Sequence, residues 1–216
     1  MNKKIGILAL QGDVLEHMEH FERLRVPCKP VKDEKDFENI NGLIIPGGES
    51  TCLFRLMKIF KLDTVIKEYV DKGMKVWGTC AGAILVADQV VNEEAKLSLV
   101  AMKVQRNAFG SQLESFNTKA KIPKLGNDDF PLTFIRAPKI LEVSDDVEVL
   151  LKLNDFIAMI ETDNVMATVF HPELTPCLAF HRYFAEKCGI EPTVEQGHDF
   201  DKNWKMTSWT KFAQVK

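Results

Sequence analysis

One cysteine, one histidine and one glutamate stand where thiol-dependent acyl transfer would need them. Gly78-Thr-Cys80-Ala-Gly82 follows a short strand-like run, Lys75 to Trp77, and opens a helix-like stretch from about Ala83. Gly-x-Cys-x-Gly is the form of a nucleophile elbow, a strained strand-to-helix turn in which bulk beside the nucleophile would clash. The helix N-terminus beyond it favours a thiolate. The Ala81 N–H then faces the oxyanion that develops on attack. A packing turn around a buried cysteine is the alternative for this motif alone.

A thiol nucleophile needs a base, and the base needs a group that fixes its tautomer. Of the five histidines, His171 ends a strand-like run as His171-Pro172-Glu173. In an extended chain residues i and i+2 face the same way, so the Glu173 carboxylate can reach the His171 ring. Cys80, His171 and Glu173 are therefore a candidate Cys-His-Glu triad. His171 would deprotonate the thiol and later protonate a leaving amine. His17 and His20 lie three apart with no further ligand near, which predicts a solvated helix face rather than a metal site. His181 is expected on a helix surface and His198 in the tail. Cys177 and Cys188 fall on an apolar stripe and read as core. Cys28 has no motif around it, and Cys52 has no base partner in sequence.

A second glycine loop, Pro46-Gly47-Gly48-Glu49-Ser50, follows the apolar run Gly42 to Ile45. Two glycines let the backbone turn an N–H toward a bound carbonyl oxygen, the second donor of an oxyanion hole, at Gly47. Glu49 would suit a substrate ammonium. A phosphate cradle fits poorly, because the P-loop pattern is missing and Glu49 repels phosphate. A bland glycine turn remains the alternative.

These residues need a scaffold. Strand-like runs fall at 5–10, 42–45, 75–77, 101–105, 134–136, 147–153, 156–161 and 165–170. Helical periods fall at 13–25, with Val14, Met18, Phe21 and Leu24 on one face, after a Ser50 cap, and at about 64–72, ended by Gly73. Thr175-Pro176 reads as the cap of a last helix ended by Gly189. Pro123 to Pro131 reads as a surface loop. Repeated strand–helix units predict an α/β fold, a three-layer sandwich around a mostly parallel sheet. Residues 1–190 read as one domain and 191–216 as a polar tail whose order the pattern leaves open.

Composition narrows the class. The 216 residues carry 28 Lys plus Arg against 31 Asp plus Glu, a net charge of -3, which argues against a nucleic-acid surface. The longest apolar stretch, Val76 to Ala87, is 12 residues, short of the ~18 that a transmembrane helix needs. The basic start lacks a cleavage site. Five cysteines, odd in number and without CxxC, predict reduced thiols and a cytoplasmic location.

In order along the chain, six segments carry a resemblance. They are Ala9-Leu-Gln-Gly-Asp13, Gly42 to Thr51, Gly78 to Gly82, Gln105-Arg-Asn-Ala-Phe-Gly110 with Glu114-Ser-Phe116, Phe134-Ile-Arg-Ala-Pro138 and Val169 to Thr175. Together they resemble class I, triad-type glutamine amidotransferases, and within them the glutaminase subunits of pyridoxal 5′-phosphate synthases. The resemblance implies a flavodoxin-like fold and hydrolysis of L-glutamine through a Cys80 thioester, with ammonia passed to the synthase subunit. It assigns the triad to Cys80, His171 and Glu173, the glutamine and oxyanion loop to Gly47, Gly48 and Glu49, and glutamine contacts to Arg106, Ile135 and Arg136. It sets Gln11 near the synthase interface and implies no metal or organic cofactor. The chain departs from the family at Ser98 and Ala101, near places that usually hold a glycine and an acidic residue. It departs again at Cys52, where a threonine is frequent. The tail after Gly189 offers no counterpart to align. The rival readings are the glutaminase of another class I amidotransferase, such as that of imidazole glycerol phosphate synthase, and a non-catalytic regulatory module of the same fold.

Overall fold

Short runs of aliphatic residues form the middle of one sheet. The computed structural model describes residues 3–106 and 115–194. The first strand, β1 (Lys4–Leu8), leads into α1 (Val14–Arg23), and β2 (Cys28–Val31) returns beside it. Then come β3 (Ile40–Ile45), the paired helices α2 (Ser50–Ile59) and α3 (Leu62–Asp71), β4 (Lys75–Thr79) and the short α4 (Ala81–Val86). Next are β5 (Ala87–Val90), β6 (Val100–Gln105), β7 (Phe116–Lys121), β8 (Asp129–Phe134), β9 (Lys139–Val143), β10 (Glu148–Leu153), β11 (Phe156–Glu161) and β12 (Val165–Thr168). The last helix among the described residues is α5 (Ala179–Lys187).

Ten strands make the main sheet, in the order β2-β1-β3-β4-β12-β11-β9-β6-β5, with β10 also on β11. From β2 through β12 every pairing is parallel. β11 is antiparallel to β12, β9 and β10, β9 is antiparallel to β6, and β5 runs parallel to β6. Parallel strands are covered on both faces, which is why β3 and β4 read as unbroken apolar runs rather than alternating ones. Adjacent residues of β4 show the layering. Trp77 packs against His17 of α1 and His181 and Phe184 of α5, while Gly78 faces the first turn of α4. Neighbouring strand residues point to opposite faces, so helices lie on both sides, as the three-layer reading expects. No helix among the described residues is long and apolar enough to cross a membrane.

Several boundaries differ from expectation. The stretch read as a loop at 123–131 is partly strand: β7 and β8 form an antiparallel hairpin outside the main sheet, with Phe116 and Phe134 stacked at 4.5 Å. Pro131 disguised β8. It is tolerated because, among the described residues, β8 has a partner on one side only. The last helix starts at Ala179 and not at Pro176. The Thr175 hydroxyl accepts the Cys177 N–H and donates to the Pro172 carbonyl, which makes a turn of what reads as a helix start. Ser50 is not the cap of α2. The Glu49 carboxylate caps it, accepting from the Thr51 and Cys52 N–H groups. Ser98, near the family's glycine, sits at φ +52°, in the left-handed region. The motif residues Asn107 to Glu114, and His198 with the segment from 195 onward, lie outside the described residues.

Candidate active site

Four adjacent parallel strands deliver the site from their carboxyl ends, where open α/β sheets place ligands. Asp13 follows β1, the glycine loop follows β3, Cys80 follows β4 and His171 follows β12. The Cys80 N–H donates to Thr168 O at 2.8 Å, which ties Cys80 to the end of β12. The His171 N–H donates to Thr133 O at 2.8 Å, which anchors His171 on the hairpin.

Cys80 has the tight geometry expected of an elbow, with φ +47° and ψ -101°. Such a backbone costs ~1–3 kcal/mol and persists only where neighbours enforce it. The flanking glycines make it possible. A Cβ on Gly78 would lie 2.5 Å from Gly82 O, and one on Gly82 would overlap the Ile45 carbonyl. The sulfur sits at the floor of a cleft of about 220 Å³ that Glu49, Arg106, Ile135, Arg136 and His171 also line.

The structure brings the three triad candidates together. His171 Nδ1 is 2.7 Å from Glu173 Oε1, which leaves Nε2 for Cys80. The local reason differs from the expected extended segment. His171 is the cap of a 3-10 turn, Pro172–Leu174, and that turn swings Glu173 under the ring. Burial works against a charge on His171, but the Cys80 sulfur, the Glu173 carboxylate and Asp13 outweigh it and hold the imidazolium well above its usual range. Burial pushes the Glu173 carboxyl up to about 7, against the pull of His171.

Asp13 escaped the sequence reading. Its Oδ2 lies 3.3 Å from His171 Nδ1. Burial opposes its charge, yet His171 and His17 hold its carboxyl below the usual range. Its position just before an amphipathic helix reads as a cap, and it makes no side-chain cap bond. Among the described residues, Asp13, His171 and Glu173 are the acidic and histidine groups close enough to share a metal ion. His171 Nδ1 and Glu173 Oε1 are already bonded to each other at 2.7 Å.

The glycine loop packs directly on the base. The Gly47 carbonyl accepts from the Asp13 N–H at 3.3 Å, and the Glu49 N–H donates to Gln11 Oε1 at 3.0 Å. Gln11, expected at a partner interface, thus braces this loop. Burial opposes the Glu49 charge, but the Cys52 and Thr51 N–H groups and Arg106 together outweigh it and hold its carboxyl below the usual carboxylate range. Arg106 is occupied as well. Its guanidinium donates to Glu93 Oε1 at 2.9 Å, to Glu49 Oε1 at 3.2 Å and to Thr51 Oγ1 at 3.2 Å. Ile135 O lies 3.9 Å from the Cys80 sulfur, and Arg136 is exposed at φ +44° on the rim.

The other histidines overturn an expectation. His17, His20 and His181 are buried, not solvated. α1 docks on α5, so rings that look solvent-facing on an isolated helix meet one another. His17 Nδ1 is 2.8 Å from His181 Nε2, and the His20 and His181 rings lie 4.3 Å apart. Burial, with help from His20, pushes His17 down to about 3, and burial also lowers His20 and His181. Cys177 and Cys188 are core, as expected, and all five thiols are free.

A family model described as the SNO glutamine amidotransferase family matches residues 7–190. The chain is 55% identical over 210 residues to the pyridoxal 5′-phosphate synthase subunit PdxT of Syntrophus aciditrophicus, covering 97% of this chain and 94% of that protein. That alignment extends past Gly189, so the tail does have a counterpart. The same-named subunit of Ruminiclostridium cellulolyticum is 46% identical over 186 residues, covering 85% of this chain and 98% of that protein. Among solved structures, a glutamine amidotransferase matches with a TM-score of 0.81 at 40% identity, over 86% of this chain and 99% of that one. PurLQS from Thermotoga maritima shares the fold, with a TM-score of 0.60 at 14% identity, over 80% of this chain and 88% of that one.

Proposed function

This chain belongs to the SNO glutamine amidotransferase family, and from that premise we propose that it hydrolyses L-glutamine and hands the ammonia to the synthase subunit of pyridoxal 5′-phosphate synthase. The observation that carries the reading is Cys80 at its strained elbow beside a His171 ring held by Glu173 at 2.7 Å.

His171 takes the thiol proton, and the Cys80 thiolate attacks the side-chain carbonyl carbon of glutamine. The oxyanion is held by backbone N–H groups at Gly47 and Ala81. Collapse breaks the C–N bond, His171 delivers its proton to the leaving nitrogen, and ammonia departs from a glutamyl thioester. Water, deprotonated by His171, then attacks the thioester. Glutamate leaves and the thiol is restored. Glu173 keeps the imidazole in the productive tautomer throughout. Gly48 and Glu49 shape the glutamine subsite with Ile135, and Arg106 and Arg136 offer guanidinium groups to its α-carboxylate. Arg106 must first exchange Glu93 or Glu49 for the substrate.

Activity of the isolated chain is low in this reading, because the loop at Gly47 reorients on docking, and Gln11 transmits that change. Residues 1–190 act as the catalytic domain and 191–216 as a tail. The free thiols support a cytoplasmic setting.

The test is glutamate release by the full chain together with the synthase subunit. Cys80→Ala abolishes it while the two subunits still co-purify. Unchanged release from Cys80→Ala, or equal turnover with and without the synthase, overturns the corresponding part. The subunit names of the relatives favour this assignment over imidazole glycerol phosphate synthase.

A further inference from the structure

The carboxylate that steadies the base is itself only half held. Glu173 Oε1 accepts from His171, while Oε2 is buried with no hydrogen-bond partner among the described residues. Facing it from α1 is His17, whose Nε2 lies 3.6 Å from Oε2, with both side chains wholly buried. The His17 ring has little freedom. Its Nδ1 is 2.8 Å from His181 Nε2, its Nε2 is 3.3 Å from the Thr79 hydroxyl, and Trp77 packs edge-on at 5.7 Å.

Two proton arrangements are open to this neutral pair. With the His17 proton on Nδ1, His181 must accept at Nε2 and carry its own proton on Nδ1. That nitrogen is buried with no partner among the described residues. With the His17 proton on Nε2, His181 donates from Nε2 and leaves only a lone pair unmatched. A buried N–H without a partner is rarer than an unmatched acceptor. The second arrangement also points an N–H at the Thr79 hydroxyl and the Glu173 carboxylate.

We propose that His17 is a positioning residue of the triad: its Nε2–H, locked in that tautomer by His181, steadies the second carboxylate oxygen of Glu173. The triad thereby extends through the sheet's helical layer as Cys80–His171–Glu173–His17–His181. This rests on the glutaminase reading of Cys80, His171 and Glu173. The titratable groups facing His17 are Asp13 and His20 from its own segment, His171 and Glu173 from the turn after β12, and His181 from α5. Of these, Glu173 presents a carboxylate oxygen to His17 Nε2, at 3.6 Å, beside the Thr79 hydroxyl at 3.3 Å. Without the donor, Glu173 stays protonated to higher pH, and over that range His171 lacks the anion that favours its imidazolium.

The test compares His17→Asn with His17→Gln in the full chain bound to the synthase subunit. Glutamine carries its amide to the Nε2 place, and asparagine only to the Nδ1 place. Two readouts are taken across pH: iodoacetamide alkylation of Cys80, followed by mass of its peptide, and kcat and KM for glutamate release. His17→Asn is expected to move the acid limb of both profiles upward and lower kcat about tenfold with KM unchanged, the scale of losing an orienting partner. His17→Gln keeps the limb in place. His181→Phe, which removes the lock, moves the limb as His17→Asn does. The proposal is overturned if Asn and Gln behave alike, if Gln is the defective one, or if the limb stays put in His181→Phe. Alkylation needs no glutamine, so a limb shift in a protein that releases no glutamate upholds the role of His17 and removes the glutaminase reading instead.

Discussion

Replacing Gly47 with alanine adds one methyl group at the point where the oxyanion loop touches the base. A Cβ there would lie 2.5 Å from His171 Cε1, 2.9 Å from its Nδ1 and 2.7 Å from Asp13 Oδ2. Ordinary contact begins near 3.4 Å, so something must move by about 0.9 Å. The imidazole cannot retreat, since it is buried and pinned at 2.7 Å by Glu173. The loop therefore gives way and breaks its bond to the Asp13 N–H. Overpacking of this kind costs ~1–3 kcal/mol. At roughly 2–4 °C per kcal/mol for a chain of this size, Tm falls by about 2–12 °C. A misplacement near 1 Å at the oxyanion donor costs about a hundredfold in kcat. Glutamate release in the presence of the synthase and thermal unfolding by circular dichroism read the two effects. Gly47→Ala with wild-type kcat would refute the placement of this loop against the base, whatever happened to Tm.

Three further perturbations have definite signs. Glu173→Gln lowers kcat by about 10⁴ at neutral pH, because the imidazole loses the anion that fixes its tautomer. The folded Glu173 carboxyl is raised to about 7, so its contribution to stability is full below the usual carboxylate value and is lost as pH rises through about 7. The variant's Tm is accordingly flatter than wild type across that window, and a steeper fall in the variant would contradict the burial argument. Glu161 is a contrasting case. Burial opposes its charge, but Lys124, the Tyr183 hydroxyl at 2.8 Å and Lys187 at 3.1 Å hold it below the usual range. Its stabilisation is present above that range and disappears as pH falls through the lowered value. Glu161→Gln costs ~2 kcal/mol at pH 7, and the gap from wild type closes in acid, as urea unfolding at several pH values would show. Ser98→Gly relieves a left-handed residue, worth ~1–2 kcal/mol, against ~0.5–1 kcal/mol of added chain entropy. A small rise in Tm with unchanged kcat is expected, and a fall would mean that the Ser98 side chain is needed.

Legibility differed from residue to residue. Gly78, Cys80 and Gly82 declare themselves, because a strained elbow admits few residue types and the turn is local. His171 and Glu173 were paired for the wrong reason. Their separation of two suits an extended chain, yet a 3-10 turn after Pro172 joins them. Arg106 shows the limit of residue type as a guide. A guanidinium near the site reads as a substrate ligand, while the folded chain has it bound to Glu93 and Glu49.

The chain order of apolar runs and glycine turns was enough to establish the α/β class, the mostly parallel sheet that carries the site and Cys80, His171 and Glu173 as one candidate cluster. Those features follow from period and turn chemistry, which act over a few residues. Tertiary contact alone decided that Asp13 joins the base and that His17, His20 and His181 are buried. It also decided that β7 and β8 form a hairpin despite Pro131. Each of these depends on what another segment presents. A histidine on a helix is solvated or enclosed according to the surface that docks on it, and α5 reaches α1 from some 160 residues away.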